Sequence, residues 1–132
     1  MRIGQLARKM GVDTQTIRFY EKEGLLPTPD RQKNGYRTYG KKHGEELAFI
    51  LGCRLLNLSL SEIRQLQVCR KNPHQPCAAI NTLLDDHIAR VQSQLATLEA
   101  LQQQLAVLRK QCDDDRAVAE CGILAGIGEG PR

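Results

Sequence analysis

The segment IGQLARKMGVDTQTIRFYEKEGLL, residues 3–26, decides the fold of the first part of the chain. Its first apolar residues recur at helical spacing, and Gly11 then interrupts the pattern. These apolar residues are Ile3, Leu6 and Ala7. Asp13 or Thr14 can cap a second helix, which we expect to end near Gly24. The segment therefore predicts a helix, a tight turn and a second helix.

The residues that follow predict a small β-hairpin. Pro27 and Pro29 come first, an Asn-Gly pair follows at residues 34–35, and the alternating stretch YRTY occupies residues 36–39. This order fits a loop that leads into a hairpin. Because the hairpin comes directly after the two helices, it is a candidate wing.

Two more helices are predicted after the hairpin. A helical pattern returns at Lys41 and breaks at Asn57. Ser59 or Ser61 can cap the next helix, and the stretch KNPHQP at residues 71–76 ends it. We expect both helices to pack under the first two.

A long helix is predicted from about residue 78 to residue 111, a stretch without Gly or Pro. Ten positions in it step alternately by four and three, and seven of them are Ile, Val or Leu. The ten positions are Ile80, Leu84, His87, Val91, Gln94, Leu98, Leu101, Leu105, Leu108 and Cys112. A single helix about 50 Å long cannot bury such a seam alone. The pattern predicts a coiled coil with a second copy of the chain, followed by a tail that supports one short apolar turn.

Composition and charge narrow the class of protein. The chain has 132 residues, of which 41% are hydrophobic and 4% aromatic, so a large enzyme core and a β-sandwich are both disfavoured. Residues 1–43 carry ten Lys and Arg against four Asp and Glu, which predicts a polyanionic partner. No stretch reaches the roughly 20 apolar residues of a membrane span, and the first residues lack the apolar core of a secretory signal. We expect a cytoplasmic protein with no membrane partner.

The second helix of a helix-turn-helix enters the major groove of double-stranded DNA, while flanking groups hold phosphates. Candidate DNA-binding residues in and beside that helix and on the hairpin are Thr14, Gln15, Thr16, Arg18, Tyr20, Tyr36 and Arg37. The alternative is that Ile17 and Phe19 are core residues, that Tyr20 and Tyr39 lie at the boundary, and that the charges form a solvated face. The basic bias of residues 1–43 favours DNA binding for the set.

Three cysteines form a candidate metal site. Cys77 precedes the long helix and Cys112 follows it, so about 50 Å separates them within one chain. Only an antiparallel pair of helices puts Cys77 of one protomer beside Cys112 of the other. Eight residues separate Cys112 from Cys121, enough for a loop that folds back. The predicted result is two three-thiolate sites, each spanning both protomers.

Three thiolates favour soft, polarizable cations over Mg²⁺ and Ca²⁺. Zn²⁺ suits the site less well unless water or His74 completes a tetrahedron, and affinity is expected to rise with pH. The remaining candidate ligands have plainer interpretations. Cys53 and Cys69 are expected to be small core residues, and His87 a polar group in the seam. His43 is expected at the surface, and the acidic run at residues 113–115 in a solvated loop.

The segments IGQLARKMGVDTQTIRFYEKEGLL and NGYRTYG resemble the DNA-binding domain of the MerR family of transcriptional regulators. The similarity continues through the two-helix segment and the long helix. It implies a mainly α fold: a winged helix-turn-helix DNA-binding domain at residues 1–75, an antiparallel coiled-coil dimerisation helix at 76–111, and a metal-binding loop and short tail at 112–132. It also implies a homodimer that sits on an over-long promoter spacer and distorts the DNA so that RNA polymerase engages both promoter elements.

The stretches PCAAINTLLDDHIARV and ECGILAGIGEG are most similar to the lead- and cadmium-responsive branch of that family, PbrR- and CadR-like. The resemblance implies a repressor that becomes an activator of heavy-metal resistance genes when Pb(II) or Cd(II) binds. Mercury sensors share the spacing of the last two cysteines, so Hg(II) remains open, as does Zn(II). A redox-sensing or organic-effector-sensing regulator is the second hypothesis. A thiol enzyme or metal buffer is disfavoured, because no Cys/His pair with an orienting acid is evident.

Overall fold

The computed structural model describes residues 1–112 and 117–128, and its elements follow the predicted order. Part of the predicted metal-binding loop, residues 113–116 and 129–132, lies outside the described residues. The elements are α1 (Ile3–Met10), α2 (Thr14–Lys22), β1 (Asp30–Arg31), β2 (Arg37–Thr38), α3 (Lys41–Leu55), α4 (Leu60–Arg70), α5 (Ala78–Arg109), a 3₁₀ turn (Val118–Glu120) and α6 (Gly122–Ile127). The predicted mainly α fold with a helix-turn-helix, a wing and a long helix is confirmed.

The turn between α1 and α2 is made by a left-handed glycine and an aspartate cap. Gly11 has a φ of 71°, a backbone conformation that glycine adopts without steric cost, and its N–H donates to the carbonyl groups of Ala7 and Arg8. Asp13 then accepts a hydrogen bond from the Thr16 N–H at 2.7 Å. Of the two caps that the sequence allows, the structure uses Asp13.

The wing is a two-stranded antiparallel hairpin, as predicted. Asp30 lies opposite Thr38, and Arg31 lies opposite Arg37. At the turn, Gly35 has a φ of 83°, and the Asn34 side chain accepts a hydrogen bond from the Tyr36 backbone N–H at 3.1 Å. The Asn-Gly pair therefore supplies both the left-handed residue and the side-chain acceptor that this tight turn uses.

Helices α3 and α4 complete the core beneath α1 and α2. Ser59 caps α4 in a reciprocal pair with Glu62: each side chain accepts a hydrogen bond from the other residue's backbone N–H. The buried hydrophobic residues come from the helices, the loop after α2, the end of the wing and the start of α5. They are Leu6, Ala7, Ile17, Tyr20, Leu25, Leu26, Tyr39, Leu47, Ile50, Cys53, Leu58, Ile63 and Leu83. The first compact unit accordingly runs from Met1 to Leu83.

Helix α4 also holds the end of α2 through hydrogen bonds. The Arg64 guanidinium donates to the Glu23 carbonyl oxygen at 2.7 Å, and the Gln67 amide donates to the Leu25 carbonyl oxygen at 2.8 Å. These bonds satisfy carbonyl groups at and just after the end of α2, where a helix has no partner of its own for them. They fix the orientation of α2 against the rest of the first unit.

His43 is buried, so the prediction that it lies at the surface is wrong. Its Nδ1 accepts a hydrogen bond from the Gly40 N–H at 2.9 Å, which caps the start of α3. Its Nε2 lies 3.1 Å from the Thr28 carbonyl oxygen and therefore carries the proton that it donates there. The side chain joins α3 to the loop before the wing, and both of its nitrogens are satisfied.

Helix α5 has 32 residues, and Leu83 is its one buried residue; the whole helix is described. The second compact unit begins at Leu84. In that unit, α6 lies close to the end of α5, because a Cβ added at Gly122 would stand 2.5 Å from the Gln111 carbonyl oxygen. Among the described residues, no helix is both long and apolar enough to span a membrane.

Candidate nucleic-acid interface and thiol site

One face of α2 is open to solvent. Its exposed residues are Gln15, Arg18, Phe19 and Lys22, which are spaced at i, i+3, i+4 and i+7 and therefore share a face. Ile17 and Tyr20 point the other way, into the core. Because α2 is the second helix of the helix-turn-helix, this face is the one available to the major groove.

The predicted DNA-binding residues of α2 differ in their exposure to solvent. Gln15 and Arg18 are exposed, whereas Thr14 and Thr16 are half-buried. The Thr16 hydroxyl donates to Asp13 at 2.7 Å, so it completes the helix cap. That bond, with the one from the Thr16 N–H, lowers the pKa of Asp13.

The burial of Tyr20 and the exposure of Phe19 change the roles expected for these two residues. Tyr20 is 7% exposed and belongs to the core cluster, which leaves little of it for a DNA contact. Phe19 is 46% exposed, so the alternative that made it a core residue is wrong. The helical spacing from Gln15 is the signal that would have found Phe19 and Lys22 on the exposed face.

A cationic pocket lies beside α2, between the start of α1 and the wing. It has a volume of about 200 Å³ and is lined by Arg2, Ile3, Arg18, Tyr36, Arg37 and Tyr39. Three of these residues are arginines, and guanidinium groups are the preferred donors to phosphate. The pocket joins predicted contacts from α2 and from the wing, namely Arg18, Tyr36 and Arg37.

The aromatic and acidic residues around this pocket hold the arginines in place. The Arg2 guanidinium lies over the Tyr36 ring, 4.1 Å from the ring centre. The Tyr39 hydroxyl donates to Glu21, and an Arg37 nitrogen lies 3.9 Å from the same carboxylate. Burial and the Glu21 carboxylate raise the pKa of Tyr39, which stays a neutral donor. Sequence reasoning missed Arg2, because the spacing along the chain gives no sign that it meets the wing.

Cys112 and Cys121 lie together in the second unit. Hydrogen bonding from the backbone N–H groups of Leu124 and Ile123 and from the Cys112 side chain lowers the pKa of Cys121, and Leu124 makes the largest contribution. A lowered pKa favours the thiolate, which is the form of cysteine that binds metal.

Cys77 lies in the first unit, just before α5. It is exposed, and the Asn81 side-chain amide approaches its sulfur at 3.9 Å. His74, the predicted optional fourth ligand, is exposed nearby in sequence. Within residues 1–112 and 117–128, no three His, Cys, Asp or Glu side chains are grouped so that they could hold a metal ion.

The other two cysteines fit the plainer interpretation. Cys53 is buried in the core, and burial raises the pKa of its thiol. Cys69 is half-buried on α4. In the seam of α5, His87 lies with its Nδ1 3.1 Å from an Arg90 nitrogen, so its ring already has a polar neighbour.

Comparison with known proteins identifies the family. A model of the MerR HTH family of regulatory proteins matches residues 1–67, and a model described as "MerR, DNA binding" matches residues 45–108. The chain belongs to the MerR family. MerR-family proteins are transcriptional regulators rather than enzymes, and the two matched segments cover the cationic pocket, the wing and most of α5.

Among the relatives of this MerR-family chain, two have been solved with a bound metal ion. The crystal structure of the transcription regulator PbrR691 from Ralstonia metallidurans in complex with lead(II) has a TM-score of 0.84 and 45% identity, covering 96% of this chain and 98% of that one. The transcriptional regulator ZntR homolog of Haemophilus influenzae is 40% identical over 84% of this chain and 82% of its own. The regulator MerR from Bacillus megaterium, in complex with mercury(II), has a TM-score of 0.68 and 27% identity, with 97% and 99% coverage.

Proposed function

We propose that this protein is a metal-responsive repressor and activator of heavy-metal resistance genes, with Pb(II) or Cd(II) as its effector. Without metal it holds promoter DNA in a form that RNA polymerase cannot use. With metal it distorts the same DNA so that the polymerase engages it. The similarity to PbrR691, whose structure holds lead(II), supports the choice of ion. Promoter DNA and RNA polymerase make the cytoplasm its predicted compartment.

The paired thiols of Cys112 and Cys121 are the observation that carries this proposal. Cys112 is a neighbour of Cys121 and helps to lower its pKa, which favours loss of the thiol proton. Two thiolates leave room for a third ligand. Cys77, exposed before α5, is the third sulfur of the proposed site.

We infer that Cys77 comes from the other protomer. Helix α5 exposes a stripe of large apolar side chains, a costly surface for a lone helix in water. Its members include Leu84, Val91, Leu98, Leu101 and Leu105. An antiparallel pair of α5 helices covers both stripes and brings Cys77 of each chain to the residues that follow α5 in its partner. The proposed dimer thus has two sites.

The chemistry of three sulfurs fits a soft ion. Thiolates bind large polarizable cations such as Pb(II), Cd(II) and Hg(II) in preference to hard cations. Zn(II) prefers a fourth ligand, for which water or His74 is available. The effector exchanges with the thiol protons, so affinity rises with pH.

Binding is coupled to DNA through the dimer. In the proposed arrangement, residues 1–75 bind DNA, residues 76–111 pair, and residues 112–132 hold the ion with Cys77 of the partner. An ion that draws Cys77 toward the partner's Cys112 and Cys121 changes the orientation of each DNA-binding domain relative to the coiled coil. Because both domains hold the same promoter, their reorientation distorts the bound DNA.

Complementation between two variants tests the shared site. Cys77→Ser and Cys112→Ser should each abolish the metal response while promoter binding stays intact, and Cys121→Ser should do the same. A heterodimer of Cys77→Ser with Cys112→Ser should regain one ion per dimer, because its one complete site draws ligands from both chains. Cys69→Ser and Cys53→Ser serve as matched controls and should bind two ions. A heterodimer that binds no ion would contradict the proposal.

Absorption titration tests the identity of the ion. Purified protein is titrated with Pb(II), Cd(II), Hg(II) and Zn(II) while the sulfur-to-metal charge-transfer band is followed. We expect Pb(II) or Cd(II) to saturate the site and to switch promoter output in a reconstituted transcription assay. A switch driven by oxidant in the absence of any metal would instead favour a redox sensor.

A further inference from the structure

Phe19 has an unusual place on the DNA-facing helix. It is 46% exposed, and it is the one apolar side chain on the face that it shares with Gln15, Arg18 and Lys22 of α2, a helix whose nine residues are all described. Polar and charged residues suffice to keep such a face in water. A large aromatic ring there can add to the free energy of binding when a partner covers it, since burial of apolar surface is favourable.

The ring is held in position from below. Its centroid lies 5.5 Å from that of Tyr20, with the two planes tilted by 55°, and Tyr20 is part of the core. Because the Tyr20 ring is buried in the core, it limits the movement of the part of Phe19 that packs against it. Just under half of the Phe19 side chain is left open to solvent.

The cationic pocket beside α2 offers groups that could position this helix on DNA. Arg18 adjoins Phe19 in sequence and lines the cationic pocket with Arg2 and Arg37. Three guanidinium groups that bind backbone phosphate set the register of the helix without reading sequence. With that register set, a helix in the major groove would present the exposed ring to the edges of the base pairs.

The major groove offers few apolar groups to such a ring. The edges of adenine, guanine and cytosine show hydrogen-bond donors and acceptors, and thymine alone adds a methyl group at C5. We propose that Phe19 packs against the C5-methyl group of a thymine in each half of the operator and so helps to determine sequence specificity. This inference rests on the DNA binding of the family and is independent of the proposed metal response.

Removing the methyl group from the DNA tests this contact directly. The operator is first obtained by selection from a random duplex library with the full-length protein, and each thymine in it is then replaced by deoxyuridine. We expect the wild-type protein to lose about fourfold in affinity for each half-site in which the contacted thymine lacks its methyl, the value for one buried methyl-sized group. Anisotropy of a labelled duplex, without metal, measures the affinity.

Variants of Phe19 complete a double-mutant cycle. Phe19→Ala should bind the thymine duplex more weakly and should bind thymine and deoxyuridine duplexes equally. Phe19→Gln should also lose the discrimination, and because Gln suits a helix surface it guards against misfolding of the alanine variant. Val68→Ala, a control at an exposed apolar residue of α4, should discriminate as the wild type does.

Three results would overturn the proposal. A selected operator without a fixed thymine in its half-sites removes the proposed target. Wild-type protein that is indifferent to deoxyuridine at every thymine shows that no methyl is contacted. If the Phe19 variants keep the fourfold discrimination between thymine and deoxyuridine duplexes, another residue contacts the methyl group. A failure of the metal experiments leaves all three readouts unchanged, since they use protein without metal.

Discussion

At the scale of single residues, hydrogen bonds decide where the elements begin. Asp13 starts α2 by accepting hydrogen bonds from both the backbone and the hydroxyl of Thr16, and His43 helps to start α3 by accepting one from Gly40. The first cap was predictable, because the residues involved lie within one turn of each other. The burial of His43 was not, because its second bond goes to Thr28, which is distant in sequence.

The Asp13 cap makes stability depend on pH. Hydrogen bonds from Thr16 lower the pKa of Asp13 from 3.8, so the folded state favours the carboxylate. The resulting stabilisation is fully present above pH 3.8 and is lost as the pH falls through the lower folded value. We expect Asp13→Ala to melt a few degrees below the wild type at pH 7, with the difference shrinking at low pH.

Thermal unfolding followed by circular dichroism from pH 7 down to pH 2 checks this prediction. Asp85→Ala, a change of an exposed carboxylate on α5, is the control for a general loss of charge. A melting difference between wild type and Asp13→Ala that stays constant down to pH 2 would contradict a role for the carboxylate charge.

Arg18 tests the phosphate pocket. We expect Arg18→Ala to weaken binding to every DNA sequence by a similar factor, because phosphate contacts carry no base information. The slope of log affinity against log salt should become shallower by about one, as for the loss of one phosphate contact. Anisotropy titrations at several salt concentrations measure this slope. Lys71→Ala, at the end of α4, is the control cation, and a slope unchanged from wild type in Arg18→Ala would argue against the pocket.

At the scale of elements, glycines mark which parts of the chain need an unusual backbone and which do not. Gly11 has a positive φ at the turn of the helix-turn-helix, so its lack of a Cβ matters there. Gly52 lies inside α3 with no atom within 4 Å of an added Cβ. Gly122 is different again, since the Gln111 carbonyl oxygen of the same unit would lie only 2.5 Å from an added Cβ. The sequence alone cannot separate these three cases.

Gly11 and Gly52 form a matched pair for mutation. Gly52→Ala should stabilise the protein by about 0.5–1 kcal/mol, because alanine is the better helix former and meets no neighbour. Gly11→Ala should destabilise it by about 1–2 kcal/mol, the cost of a side chain in the left-handed conformation. Urea unfolding gives both values. Shifts of the same sign in the two variants would show that the turn geometry is wrong.

At the scale of the whole molecule, the main feature is the stripe of exposed apolar side chains on α5. The ten stepped positions fall on one continuous helix, Ala78–Arg109, and on the cysteine that follows it. Exposure of Val91, Leu98 and Leu105 fits a surface made for a second copy. The orientation of that copy remains the proposal on which the shared metal site depends.

A charge in the centre of the stripe should separate the protomers. We expect Leu98→Lys to raise the dimer dissociation constant by about 100-fold, because two leucine side chains each lose burial worth about 1.5 kcal/mol. DNA affinity and metal capture should fall with it, while the first unit keeps its helical circular dichroism. Gln103→Lys, a change on the opposite side of α5, is the matched control. Sedimentation equilibrium that gives the same dimer for Leu98→Lys and wild type would place the interface elsewhere.

The sequence by itself determined the local features of this protein. Helical spacing, capping residues and the Asn-Gly turn specify α1 to α6 and the wing, because each depends on contacts between residues a few positions apart. The cysteine spacing likewise predicts that Cys112 and Cys121 lie close together, since only eight residues separate them. Local chemistry fixes such features before any packing is known.

Only the tertiary structure decided which side chains share a surface. It brought Arg2 to Arg18 and Arg37 across the pocket, buried His43 and Tyr20, and left Phe19 facing outward. These outcomes depend on how helices pack over one core, and a residue at the edge of an apolar stripe can lie on either side of that boundary. Burial is a property of the packed molecule, because it arises from neighbours that are distant along the chain.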